Sequence, residues 1–368
     1  MGTCVDFVNS LDLDMSMKIL MCLEDVSDLA RICAVSCSWR HFVVENGLCK
    51  SFCVRLFPQL SRVGYVIENC CEKKLVEFEC SSSRHVEREF LEKEHKVYMF
   101  LARGVTSFAI RKCISDAISA SSTDNFPAES INNTLDSRDR IGRRASYWSS
   151  KGQKNPAVPE RLTYKLVSNI CVINEISIHP FEAYFQFGHP IYSAKSVRFR
   201  MGHSKIPIDD HMGDTHWDLV DDQLVWTYTS QEFPVAQENR LQTFVLPQPV
   251  LCIGGIFQIE LLGRVQKQEM DGLFYICVSH VQVMGRSLSP AFDVEILKPS
   301  GEFALKVLSY TQPNPPEDSP VTTASSEYLL RRVRDLAQIV NMLQGDVGVH
   351  EDYEWEEEDV EADDEFPL

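Results

Sequence analysis

Two sets of side chains in this sequence have the types and spacing that metal chemistry needs. Cys33-x3-Cys37-x11-Cys49-x3-Cys53 could bring four thiolates to a tetrahedral zinc ion. Structural zinc usually takes its pairs from tight C-x2-C turns, whereas both pairs here sit in helical sequence, where cysteine serves as a small buried residue. His211-x2-Asp214-x-His216-x-Asp218, preceded by Asp209 and Asp210, offers imidazoles and carboxylates for zinc or a harder cation. The same residues are at home in a solvated hairpin loop. His211, Asp214 and His216 therefore stand as weak metal candidates, and no cofactor is expected. The chain has no Gly-x-Ser-x-Gly, no His-Glu-x-x-His, no phosphate-binding glycine loop and no dinucleotide fingerprint. No nucleophile and base can be named, so no enzymatic activity is expected. Arg143-Arg144-Ala145-Ser146 matches a basophilic kinase site, a tetrad that also arises by chance; a phosphate there would sit beside Trp148.

The 368 residues allow two or three domains, and 44% hydrophobic with 24% charged residues suits at least one sizeable core. The longest uncharged apolar stretch, residues 243–259, carries two prolines and a glycine pair, so no membrane span is expected. There is no basic segment with a small-residue cleavage site at the start, so a secretory signal is not expected either. Thirteen cysteines, an odd number with ten at or before Cys113, point to a reducing compartment, the cytoplasm or nucleus or both. Of the net charge of −17, residues 351–365 contribute eleven carboxylates and no base, which leaves −6 on the rest. Such a tail repels polyanions and no basic stripe offsets it, so nucleic acid is not expected as a partner.

The pattern divides the chain. Residues 7–57 are apolar at helical spacing, and residues 58–118 read as a helical linker, with Val86, Phe90, Val97 and Leu101 on one face and Phe108, Cys113 and Ala117 beginning another. From Arg161 the period changes to 2: Leu162, Tyr164 and Leu166 alternate with polar partners, as do Val197, Phe199 and Met201, then Phe257, Ile259 and Leu261. A phase change near Ser279 predicts a β-bulge. Residues 119–300 thus read as an antiparallel β-sandwich. A proline-rich linker over 301–326, an amphipathic helix over 327–345 and a disordered acidic tail over 346–368 complete the expected multidomain α+β architecture.

The N-terminal residues form an ordered pattern: Leu11-x7-Ile19-Leu20-x2-Leu23, Asp28-Leu29, Val35-Ser36, Ser38-Trp39-Arg40. It resembles the F-box, which opens with Leu-Pro-x-Glu, continues with Ile-Leu-x-x-Leu and closes with Val-Cys-x-x-Trp-Arg. Leu11 and Asp14 match the opening; Asp12 stands where the family has proline, and Cys37 falls one place beyond the family's cysteine. The resemblance implies that Leu11, Asp12, Ile19, Leu20, Leu23, Leu29, Val35, Trp39, Arg40 and Leu48 bind a Skp-type adaptor and, through it, a cullin, with Trp39 supplying the largest area.

A second resemblance begins at Ser121-Ser122-Thr123-Asp124-Asn125, passes Leu135-Asp136 and Tyr147-Trp148-Ser149-Ser150, and continues through Pro159 to Leu166 and an isoleucine-rich run over 173–178. This is similar to galactose-binding-like (discoidin-type) sandwiches. It implies a jelly roll whose inter-strand loops bind a protein target or a glycan, with His189, Tyr192 and Trp217 as candidate loop residues and Trp148 in the core. An F-box followed by this module looks like a small group of plant F-box proteins. The combination implies the substrate-recognition subunit of a Skp-cullin-F-box ubiquitin ligase; the alternative is a carbohydrate- or other ligand-binding module with no ligase role.

Overall fold

The computed structural model describes residues 6–68, 83–141, 144–205, 221–298 and 300–311. The predicted helix over 327–345, the acidic tail, Trp217, and the His211, Asp214 and His216 set lie outside the described residues.

Five short helices open the chain: α1 (Phe7–Ser10), α2 (Leu13–Met21), α3 (Val26–Val35), α4 (Cys37–Glu45) and α5 (Leu48–Leu56). Side chains define where three of them start, each accepting a bond from an amide left without a partner at a helix N-terminus. Asp12 accepts from the Met15 N–H at 2.7 Å, Asp25 from Ser27 at 2.8 Å, and Ser36 from Trp39 at 3.1 Å. Asp12 thus supplies by capping what a proline would supply by fixing φ. At the other end of α2, the Arg55 guanidinium of α5 donates to the Met21 and Leu23 carbonyl oxygens, tying the two helices together.

The stretch expected to be a helical linker is helical only in part. A 3-10 turn (Pro58–Arg62) leads into strand β1 (Val63–Glu68), and α6 (Ser83–Ser107) follows. α6 buries Val97, Tyr98, Leu101 and Ala102 against α5, while Val86 and Phe90, nearer its start, stay exposed. The predicted second helical face does not form, because β2 (Arg111–Lys112) and β3 (Ile114–Ala120) already belong to the sandwich. Cys113 occurs at a helix-compatible spacing, but it packs in the inter-sheet core beside Cys171 and Cys252.

After a two-stranded hairpin, β4 (Arg140–Ile141) and β5 (Arg144–Ala145), come β6 (Trp148–Ser149), β7 (Glu160–Leu166), β8 (Ile170–Pro180), β9 (Ala194–Ser204), β10 (Leu224–Thr229), β11 (Phe233–Pro234), β12 (Gln242–Ile253), β13 (Ile256–Arg264) and β14 (Cys277–Ser287). One sheet has the order β10-β9-β13-β7-β3, with β11 on β9; the other runs β12-β8-β14-β2, with β6 on β14. The sequence alternation is the packing pattern: Leu162, Tyr164, Val197, Phe199, Met201, Phe257 and Ile259 are all excluded from water between the sheets. The predicted bulge is present, because the β14 register on β8 shifts between Val278 and His280. Trp148 is fully buried, as expected, and its Nε1–H donates to the Ser122 carbonyl at 3.1 Å.

The chain beyond 300 begins with structure rather than linker. β15 (Phe292–Ile296) pairs antiparallel with β16 (Phe303–Val307), and β16 pairs parallel with β1, next to the opening helices. One apolar cluster runs from Leu20, Leu29, Leu48 and Phe52 through Tyr98 and Leu101 to Phe292, Phe303 and Leu305. It also takes in Ile170 and Val172 at the start of β8, Leu251 and Ile253 at the end of β12, and Leu288 after β14. These five side chains lie at one end of the sandwich. The helices are therefore packed onto that end by a continuous core rather than held on a spacer.

Candidate functional site

The residues predicted to bind an adaptor divide by burial. Leu20, Leu29 and Leu48 are core, at 3% exposure or less, and Leu23 packs partly against them. Burying an aliphatic side chain of this size contributes about 1.5–3 kcal/mol, so these three hold the helices together and are not free to meet a partner. Trp39 is half-buried, and its Nε1–H donates to the Asp6 carboxylate at 2.7 Å, which spends its polar atom inside the protein. Arg40 is exposed beside a groove between α4 and α6. Leu11, Ile19 and Val35 remain open to solvent, and with them Leu13 and Met15, all at 41–62% exposure. Met15 and Ile19 stand one turn apart on α2 and form an exposed row. Leu13 and Met15 were not singled out in the sequence because they fall between the motif positions.

The opposite end of the sandwich carries a cleft of about 160 Å³. Its walls come from the segment after β3 (Asp124, Asn125, Glu129), from β6 and the residue before it (Tyr147, Ser149), from the β8–β9 connection (Phe181, Ala183, Phe185, Gln186, Tyr192) and from the β13–β14 region (Gln268, Tyr275, Cys277). Tyr147 stacks on Phe181 with ring centroids 3.9 Å apart and planes 10° from parallel. Phe185 and Tyr184 pack edge to face beside them, and Tyr192 meets Tyr275 edge to face.

Each tyrosine hydroxyl in the cleft donates to a side chain of its rim. Tyr147 donates to Glu129 at 2.7 Å, Tyr192 to Gln186 at 2.6 Å, and Tyr275 to Asp271. Burial, and for Tyr147 and Tyr275 the adjacent carboxylates, push all three phenols above their ordinary range, so they stay protonated donors. Burial also pushes the Cys277 thiol up to about 12, which keeps it un-ionised. Asp124 is held above the usual carboxylate range, first by its partial desolvation and then by the like charges of Glu129 and Asp271. Asp271 moves the other way, mainly because it accepts from Tyr275 and then from the Leu273 amide.

A buried charged network holds these segments in place. Arg264, at the end of β13, pairs with Glu160 at the start of β7. The same guanidinium donates to Ser150 Oγ at 2.7 Å and to the carbonyl oxygens of Lys151 and Phe274 at 3.0 and 3.1 Å. Glu160 accepts from Ser121 and Ser122. Three stretches next to or within the walls, after β3, after β6 and before β14, are thus fastened to one ion pair whose members are both excluded from water.

Of the predicted loop residues, Tyr192 lines the cleft with its ring buried. His189 is exposed in the same connection, at a φ of 47°, with Nδ1 3.5 Å from Glu182, and it does not line the cleft. The sequence reading missed Asp124, Glu129, Tyr147, Phe181 and Tyr275. Tyr147 and Asp124 stood in the quoted motif stretches, but only register and loop geometry bring them together. Among the described residues no group of three or more His, Cys, Asp or Glu side chains is placed to hold a metal ion. Cys49 and Cys53 are instead buried in the helical core, while Cys37 is exposed to solvent. Ser146 of the kinase-like tetrad is 2% exposed, out of reach of a kinase active site.

The opening helices are thus packed on one end of the β-sandwich, and an aromatic cleft lies at the other end. Along 371 aligned residues, covering 98% of both chains, the sequence is 51% identical to an F-box protein of Arabidopsis thaliana. The chain belongs to the F-box protein family. No family model matches it. The sandwich is similar to the family 32 carbohydrate-binding module of C. perfringens NanJ, solved in complex with galactose, at 15% identity and a TM-score of 0.29 over 46% of this chain and 98% of that one. It is likewise similar to the family 32 carbohydrate-binding module of Streptococcus pneumoniae EndoD, at 10% identity and a TM-score of 0.32 over 47% and 98%. Similarities at this level say nothing of a ligand, and the sandwich rests on its own strand order.

Proposed function

We propose that this protein is the substrate-recognition subunit of a Skp-cullin-F-box ubiquitin ligase. A Skp-type adaptor docks on Leu11, Leu13, Met15, Ile19 and Val35, and the cleft of the sandwich receives a protein target. The observation that supports this reading is the polarity of the molecule. The helices are packed on the end of the sandwich formed by the start of β8 and the end of β12, and the cleft is at the other end. A target held there would be presented away from the adaptor, towards a conjugating enzyme carried by the cullin. The protein itself would supply no chemistry, only effective concentration. The same reading expects work in the cytoplasm or nucleus.

The test is reconstitution. Purified full-length protein with a Skp-type adaptor is expected to run as a one-to-one complex on size exclusion with mass detection, and the Ile19→Asp/Val35→Asp double variant to run free. A wild-type protein that stays free, or a double variant that still binds, counts against the reading.

A further inference from the structure

We propose that the cleft receives a basic side chain, lysine or arginine, presented by a target segment with apolar residues on either side. This deepens the receptor reading above and rests on it for the claim that the ligand is a protein.

The first argument is charge. Asp124 and Glu129 line the cleft, Asp271 is hydrogen-bonded to the lining residue Tyr275, and none of the thirteen lining residues is Lys, Arg or His. The influence opposing these on Asp124 is Lys151, which acts from outside the lining and more weakly than Glu129 and Asp271 do.

Hydrogen-bonding capacity is the second. The phenol donors of Tyr147, Tyr192 and Tyr275 are spent on rim acceptors, and Asn125 Nδ2 donates to Glu129 at 3.2 Å. The charged groups of the lining, Asp124 and Glu129, are acceptors, and the Gln186 and Gln268 amides line the cleft with them. Ammonium and guanidinium groups carry only donors, so they complement the carboxylates.

Shape is the third. Aromatic rings form the walls, and a cation beside such faces gains from the ring quadrupole. The connections that supply the walls also hold out three large apolar side chains: Phe126 after β3, Phe187 between β8 and β9 at 99% exposure, and Met270 between β13 and β14 at 93%. Apolar side chains exposed this far on the wall connections suit a partner with apolar residues flanking its charge.

The probe is a fluorescent heptapeptide, Gly-Phe-Leu-X-Leu-Phe-Gly, with X as arginine, lysine, citrulline or glutamate, titrated by anisotropy into full-length protein co-purified with adaptor. Arginine and lysine peptides are expected to bind at least about tenfold more tightly than the citrulline and glutamate peptides, as charge-assisted bonds require. The Asp124→Asn/Glu129→Gln variant is expected to lose that preference while keeping its melting temperature and its adaptor. Equal affinity for arginine and citrulline, no binding of any peptide at millimolar concentration, an unchanged preference in the variant, or displacement of the arginine peptide by methyl galactoside would each overturn the proposal. Adaptor bound without a basic preference removes this inference and leaves the receptor reading. A basic preference in protein that binds no adaptor removes the ligase reading and leaves the chemistry of the cleft.

Discussion

Glu160 and Arg264 lie on adjacent strands, β7 and β13, and form an ion pair with side-chain exposures of 3% and 0%. Two charges so far from water are tolerated because their remaining hydrogen-bonding capacity is filled by Ser121, Ser122, Ser150 and three backbone carbonyl groups. Removing one member leaves the other buried and uncompensated. Arg264→Leu is therefore expected to destabilise the protein by about 3–5 kcal/mol, and Glu160→Gln by a somewhat smaller amount. Urea unfolding followed by the fluorescence of Trp148, which is bonded to the Ser122 carbonyl, measures it. A loss under about 1 kcal/mol would mean that the pair does not organise the cleft.

Asp124 should behave in the opposite sense. Its folded-state pKa is raised by partial desolvation and by Glu129 and Asp271. An acid whose folded value lies above its unfolded one opposes folding once it is ionised. The penalty is absent below the unfolded pKa and is fully developed above the raised folded one. At pH 7 Asp124→Asn is expected to melt at or above the wild-type temperature, with any gain shrinking as the pH falls towards the ordinary aspartate value of about 4. A lower melting temperature at pH 7 would show that the carboxylate has a structural partner.

The sandwich was legible in the sequence because its periodicity of 2 is the burial pattern itself: Leu162, Tyr164, Phe199 and Ile259 could face only one way. Even the bulge near Ser279 left its mark as a phase change. The start of the domain was not legible, because Cys113 and Ala117 fit a helical spacing, whereas Ala117 lies in β3 opposite Tyr164 of β7 and Cys113 stands just before that strand. The cleft was hidden for a related reason. Asp124, Tyr147, Phe181 and Tyr275 come from four connections far apart in the chain, and nothing local marks them as neighbours. The family pattern of the opening helices marked candidate interface positions but not their burial. Leu20 and Leu29 occupy motif positions yet serve the core, while Leu13 and Met15 lie between motif positions and are open.

Asp12 offers a check on the opening helices. Its carboxylate caps α2 through the Met15 amide, so Asp12→Ala is expected to cost about 1 kcal/mol of stability. Asp12→Pro, which restores the family's residue, is expected to keep adaptor binding. Calorimetry and co-purification read the two effects separately. If Asp12→Pro loses the adaptor, the aspartate itself belongs to the contact.

The most direct test of the whole account compares two neighbours on α2. Ile19 is exposed and Leu20 is buried in the core shared with the sandwich. Affinity for a Skp-type adaptor and unfolding free energy would be measured on Ile19→Asp and Leu20→Ala in the full-length protein. The account predicts that Ile19→Asp loses the adaptor with its stability intact, and that Leu20→Ala loses about 2–5 kcal/mol of stability. Adaptor binding that survives Ile19→Asp in a folded protein would contradict it.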